Sequence, residues 1–158
     1  MTADSAPIHE LFARNGLRCT RQRRLIYEAL AATTSHPSAD ELYQKISPRD
    51  GRLSLATVYN ALDAFCAAGL AIRLPGHSSN NGTASARYDA TVGNHLHARC
   101  DRTGTIADVP DHLSQKLMEY VPPSLFAEIE SELGFKIRRV HIELIGQYQN
   151  ANGQAPHV

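Results

Sequence analysis

Three times within the first 70 residues, a hydroxyl side chain stands directly before a stretch of helical hydrophobic spacing. That repetition constrains the fold more than any other feature of the chain. Thr20 precedes a run carrying Leu25, Ile26, Ala29 and Leu30, and Ser38 precedes Leu42, Tyr43 and Ile46. Ser54 precedes Val58, Leu62, Phe65 and Cys66 on one face, and Gly69 follows as a stop. A Ser or Thr so placed accepts a hydrogen bond from the unsatisfied N–H groups of the first helical turn. A glycine past the end takes up the left-handed conformation that closes the last turn. A shorter helix is expected over Ile8–Arg14, ended by Asn15-Gly16. Residues 70–74 and 86–89 then read as short strands flanking PGHSSNNGTASA, a loop too polar to join a core. Helices ending in a strand–loop–strand unit outline a winged helix-turn-helix, whose last helix enters the major groove of DNA while the hairpin touches the backbone. The same periodicity also fits a small helical domain with no ligand.

The second half is patterned differently, and the fold class expected is α+β. Residues 96–100 and 105–109 alternate as two strands joined by a turn over 101–104. Pro110-Asp111 opens a helix through Leu113, Leu117 and Val121, which Pro122-Pro123 breaks. Ser124 is expected to cap a further helix to Leu133, with Gly134 as its stop, and 135–145 reads as one long strand. The domains expected are 1–90, a winged helix; 91–146, a small α/β domain; and 147–158, a polar flexible tail. A sheet this small buries too little by itself, so a homodimer through this half is the natural way to complete its core.

With 42% hydrophobic and 20% charged residues the chain is neither disordered nor membrane-embedded by composition, and no apolar run reaches the roughly 20 residues a membrane helix needs. The opening MTADSAPIHELF lacks a basic start and apolar stretch, so a cytoplasmic location is expected. The formal charge of zero conceals an asymmetry. Ten Arg and Lys against eight acids give +2 through Ala90, and the remainder carries −2. Arg14, Arg18, Arg21, Arg23 and Arg24 crowd together, a pattern that fits a solvated helix face and a phosphate-contacting one equally. Cys19, Cys66 and Cys100 form no CxxC, so neither a disulfide framework nor a thiolate zinc site is indicated.

Metal-binding residue types do cluster elsewhere. Side chains alternate along a strand, so His95 and His97 share one side of the chain. Asp108 lies on the next strand, and Asp89 stands shortly before His95. A strand histidine is often only hydrogen-bonded, but two imidazoles with flanking carboxylates and no thiolate suit a hard or borderline divalent ion such as Fe(II) or Mn(II), with Zn(II) also possible.

The segments LRCTRQRRLIYEAL, SHPSADELY, LSLATVYNALDAFCAAGLA, ARYD and NHLHARCDRTGTIADV, in that order, resemble the ferric-uptake-regulator family over 11–146. The resemblance implies an N-terminal winged-helix DNA-binding domain, a C-terminal dimerisation domain and a regulatory metal site. By the same resemblance the site falls on His36, Asp89, His95, His97 and Asp108, one divalent ion per subunit. An ion holding ligands from both halves would favour one hinge geometry and so the DNA-competent dimer. The recognition helix falls on 54–67, with Thr57, Tyr59 and Asn60 facing base edges and Arg18, Arg21, Arg23 and Arg52 facing phosphates. Two such helices related by a two-fold axis imply an inverted-repeat operator on double-stranded DNA.

Two departures from the family matter. Thr103 stands where the partner of Cys100 would complete a CxxC, and the later pair is missing from GQYQNAN, so no structural zinc held by four cysteines is expected. Asn94 and Leu96 beside the H-x-H motif cannot complete an additional site. Asp rather than Glu at 89 and 108 resembles the peroxide-sensing members. Three His and two Asp leave a sixth position open on Fe(II), and the resemblance implies hydrogen peroxide as signal, with His36 or His95 converted to 2-oxo-histidine. Cys100 is a weaker sensor, since a reactive thiol needs exposure and a lowered pKa. The alternatives are an iron- or manganese-responsive uptake regulator without peroxide sensing, a small non-haem iron enzyme, and a dimeric metal-storage module.

Overall fold

A computed structural model describes residues 8–76, 85–90, 95–138 and 140–149. The chain divides into two compact units, Met1–Val92 and Gly93–Val158. The loop over 77–84, the junction 91–94 and the expected tail beyond 149 lie outside the described residues.

The first unit is built by its caps. Helix α1 covers Ile8–Arg14, α2 Arg21–Ala31, α3 Ala39–Ile46 and α4 Leu55–Ala67. Thr20 accepts from the Arg23 N–H, Ser54 from Thr57, and Ser38 forms a reciprocal capping box with Glu41. Gly69, at φ +73°, supplies the left-handed residue just past α4, a conformation that costs any side chain with a Cβ. Strands β1 (Ile72–Leu74) and β2 (Arg87–Asp89) pair antiparallel with Arg73 opposite Tyr88, giving the wing, each strand slightly shorter than expected. The core is an aromatic triad: Phe12, Tyr27 and Phe65 meet at centroid separations of 5.4, 5.5 and 5.3 Å, two of the three pairs edge-on. Ile26, Leu30, Leu42, Val58 and Leu62 close around it, all fully buried and each contributing roughly 1.5–3 kcal/mol.

The second unit is a three-stranded sheet in the order β4-β3-β5, formed by β3 (His97–Cys100), β4 (Ile106–Asp108) and β5 (Glu143–Gly146). β3 pairs antiparallel with β4 and parallel with β5, and helices α5 (Asp111–Glu119) and α6 (Pro123–Leu133) make the crossover that parallel pairing requires.

Three expectations are corrected here. α5 stops at Glu119, before Val121. Ser124 is not the cap of α6: Pro122 holds that position with Pro123 as first helical residue, where a missing N–H costs nothing. The strand expected over 135–145 forms only from Glu143. The chain after Gly134 is first drawn back onto α6, where the Glu130 carboxylate accepts the Ile137 N–H at 2.8 Å and pairs with Lys136. Of α5 only Ser114 is buried, and of α6 nothing, so Leu113, Leu117, Leu125 and Leu133 present exposed apolar surface. No described helix is long and apolar enough to cross a membrane.

Candidate metal centre and nucleic-acid face

Antiparallel pairing places His97 directly opposite Asp108. The His97 Nε2 lies 3.4 Å from Asp108 Oδ1, the His95 Nε2 lies 3.5 Å from the same oxygen, and the two Nε2 atoms are 3.0 Å apart. Three donor atoms thus converge from β4, from β3 and from the loop just before β3. Ligands held at about 2.1 Å from one ion stand roughly 3.0–3.4 Å apart at right-angled or tetrahedral geometry, so the spacing fits a divalent cation and the residue types fit a hard or borderline one. His97 is wholly buried, whereas the Asp108 side chain is 30% exposed. The loop before β3 is fixed from below by Ser114. Its hydroxyl accepts the Leu96 N–H and donates to the Val109 carbonyl, both at 3.2 Å. The His141 ring also packs against His97, tilted, with ring centroids 5.2 Å apart.

The first unit supplies a second donor pair. His36 and Asp89 are both buried, and the His36 Nε2 lies 3.9 Å from Asp89 Oδ2. That separation is too long for a hydrogen bond but lies inside the roughly 4.2 Å that two ligands of one ion can span at about 2.1 Å each. His36 sits at φ +49°, a left-handed conformation costing a residue with a Cβ about 1–2 kcal/mol. The backbone around it compensates. The Pro37 carbonyl accepts the Tyr88 N–H at 3.0 Å, Ser38 bridges to Arg87, and Arg87 Nη1 donates to the His36 carbonyl at 3.3 Å.

The residues expected to meet DNA divide into exposed and engaged ones. On α4, Tyr59 and Asn60 are exposed, but Thr57 is half-buried and its hydroxyl bonds to Ser54 within the cap. The Tyr59 hydroxyl donates to Asp40 on α3 at 3.2 Å, and desolvation and that carboxylate push its pKa up. Arg18, Arg21 and Arg52 are exposed. Arg21 stands 3.9 Å from the buried Asp50, and Arg23 donates to the Arg18 carbonyl at 3.0 Å. Arg14 and Arg24 each face a glutamate one turn away, so part of the basic cluster is spent locally.

Cys100 is buried, and hydrogen bonds from the Thr103 side chain and backbone hold its thiol down at about 7. It therefore has the lowered pKa that a sensor thiol needs but lacks exposure. Three cysteines cannot form a four-thiolate site in one subunit.

Several residues about the donors escaped the sequence reading. Arg87 and Glu41 frame His36, Ser114 holds Leu96, and Arg99 pairs with Glu143 at 2.8 Å across β3 and β5. Only one left a readable trace: S-x-x-E at Ser38 is a capping-box signature, and its glutamate is the one Arg87 uses.

A sequence model of the ferric uptake regulator family matches residues 14–145. Over 94 residues the chain is 42% identical to the peroxide-responsive repressor PerR of Staphylococcus saprophyticus, spanning 60% of each chain. Over 152 residues it is 32% identical to the peroxide operon regulator of Bacillus subtilis, covering 94% of this chain and 93% of that one. In three dimensions it resembles the ferric uptake regulator of Pseudomonas aeruginosa solved with manganese, at a TM-score of 0.63 and 28% identity, over 90% of this chain and 98% of that one.

Proposed function

The chain belongs to the ferric uptake regulator family, and from that premise we propose that it is a metal-dependent, DNA-binding transcriptional repressor that responds to hydrogen peroxide. The observation that carries the reading is the convergence of His95, His97 and Asp108 donor atoms within 3.5 Å of one another. Three donors leave a divalent ion under-coordinated, and His36 with Asp89 provides the type and number of ligands that would complete five. An ion taking ligands from both units couples metal occupancy to the DNA-binding half without any other device, because it favours whichever arrangement lets all five ligands reach it. The ion is Fe(II) or Mn(II) in the cell, and the protein acts in the cytoplasm as a homodimer on an inverted repeat. The apolar faces of α5 and α6 support the dimer. Tyr59 and Asn60 reach base edges, with Arg18, Arg21, Arg23 and Arg52 on phosphates.

Bound Fe(II) supplies the one-electron chemistry that activates a peroxide. The chain supplies the oxidisable groups: His36 or His95 gains one oxygen at a ring carbon, one peroxide being reduced to one water. The resulting 2-oxo-histidine is a poorer donor, so ligation and repression are lost together. Names of the Staphylococcus and Bacillus relatives favour peroxide as signal. Likeness to the manganese-bound Pseudomonas regulator supports the second reading, an uptake regulator that follows metal alone. Mass spectrometry of tryptic peptides separates them. Low peroxide should add 16 mass units to the peptide bearing His36 or to that bearing His95 and His97 in Fe(II)-loaded protein, and none in Mn(II)-loaded protein. Metal-dependent DNA binding with no gained oxygen would discard the peroxide mechanism and leave the metal sensor.

A further inference from the structure

Something must keep His36 where it is. His36 is buried on a left-handed backbone two residues beyond a Thr-Thr pair and one before a proline, and the sequence next to it does not explain why that backbone stands beside Asp89. The answer comes from β2. Arg87 and Asp89 are two residues apart on that strand, so their side chains leave the same face. The Arg87 guanidinium donates to the carbonyl of His36 at 3.3 Å and to Glu41 Oε2 at 2.6 Å. The same Oε2 accepts the Ser38 N–H at 2.8 Å. The loop carrying one ligand, the strand carrying the other and the first turn of α3 thus meet at one carboxylate oxygen.

We propose that Arg87, with Glu41 as its counter-charge, is the positioning residue that presets His36 and Asp89 as a metal-ligand pair before any ion arrives. Two features of the chemistry support the pairing. A planar guanidinium has several donors in a fixed fork and can serve a carbonyl and a carboxylate at once, which a lysine ammonium does far less well. A bare cation two residues from Asp89 would also oppose a divalent ion, and the Glu41 carboxylate cancels that charge at 2.6 Å. Preset ligands bind without first reorganising, and affinity falls when their orienting partners are removed, typically by roughly ten- to hundred-fold.

The inference rests on reading His36 and Asp89 as ligands, and the test separates the two. Co(II) affinity of the full chain is measured by competition with a chelating indicator, together with the visible Co(II) spectrum, for the wild type, Arg87→Gln, His36→Ala and the double variant. Arg87→Gln should lose roughly ten-fold or more in affinity in the native background and less than about two-fold once His36 is alanine, because a partner that acts through His36 has nothing left to orient. Arg87→Lys should fall between wild type and Arg87→Gln, and it serves in the same cycle should Arg87→Gln not fold. An equal loss in both backgrounds, which a merely structural role gives, would overturn the proposal, as would no loss in either. A wild type that takes up no Co(II), or a His36→Ala variant that binds it as the wild type does, would instead sink the ligand assignment.

Discussion

Replacing Ser114 by alanine removes one oxygen atom and should damage the proposed metal centre without touching a proposed ligand. Ser114 is 1% exposed, and its hydroxyl links the Leu96 N–H to the Val109 carbonyl at 3.2 Å each. Leu96 is itself buried and stands between the two histidines, so the alanine variant leaves its N–H without that acceptor in a dry place. An orphaned buried donor costs about 1–3 kcal/mol and the lost bond to Val109 about 1 more, for a total of about 2–4 kcal/mol. With an m-value of about 2 kcal/mol/M, the urea midpoint of the second unit should fall by about 1–2 M. Circular dichroism at 222 nm follows it, and amide exchange at Leu96 should accelerate selectively. Metal affinity should drop by roughly ten-fold as well, since the loop that spaces His95 from His97 is no longer fixed. A midpoint shift under about 0.3 M, with exchange at Leu96 and metal affinity both unchanged, would refute the argument that this hydroxyl organises the loop.

Asn60→Ala should weaken binding to the operator by about 1–3 kcal/mol, roughly five- to 150-fold in an electrophoretic or fluorescence titration, while leaving thermal stability nearly unchanged because Asn60 is exposed. Leu117→Glu with Leu133→Glu should convert the dimer to monomer in analytical ultracentrifugation, since both side chains present apolar surface at 41% and 69% exposure. The Cys100 thiol titrates near 7 in the folded chain against an ordinary value of 9. A folded pKa held below the unfolded one stabilises the native state above pH 9, and that contribution is lost as the pH falls through 7. Thr103→Val should raise the midpoint of the Cys100 Cβ chemical shift against pH, followed by NMR, toward 9, and an unmoved midpoint would show that Thr103 does not hold the thiolate.

The elements and the cluster of donor side chains were legible in the chain for different reasons. Thr20, Ser38 and Ser54 announced their helices because capping is a local interaction between residues three apart, visible in any window that contains both. The H-x-H pair and Asp108 were legible because strand alternation and a short turn fix their juxtaposition within 14 residues. The long strand over 135–145 misled because its alternation is real, yet Glu130 captures Lys136 and Ile137 first, and a hydropathy pattern does not reveal which partner wins. Ser124 misled through a rule that holds only when no proline competes for the first turn.

The residues that support the proposed ligands were invisible for a deeper reason. A ligand is recognised by its own chemistry, whereas its readiness depends on a neighbour with no chemical mark. Arg87 reaches the His36 carbonyl across 51 residues, and Ser114 reaches Leu96 across 18. An arginine on a strand and a serine before or within a helix announce nothing, because the same residue types elsewhere in this chain form ordinary ion pairs and helix caps. What distinguishes them is the strained or buried backbone group each one serves: a histidine at φ +49° in one case and a buried N–H between two imidazoles in the other. Orienting residues of this kind are therefore found by asking which backbone atoms near a ligand need a partner, and then what supplies it.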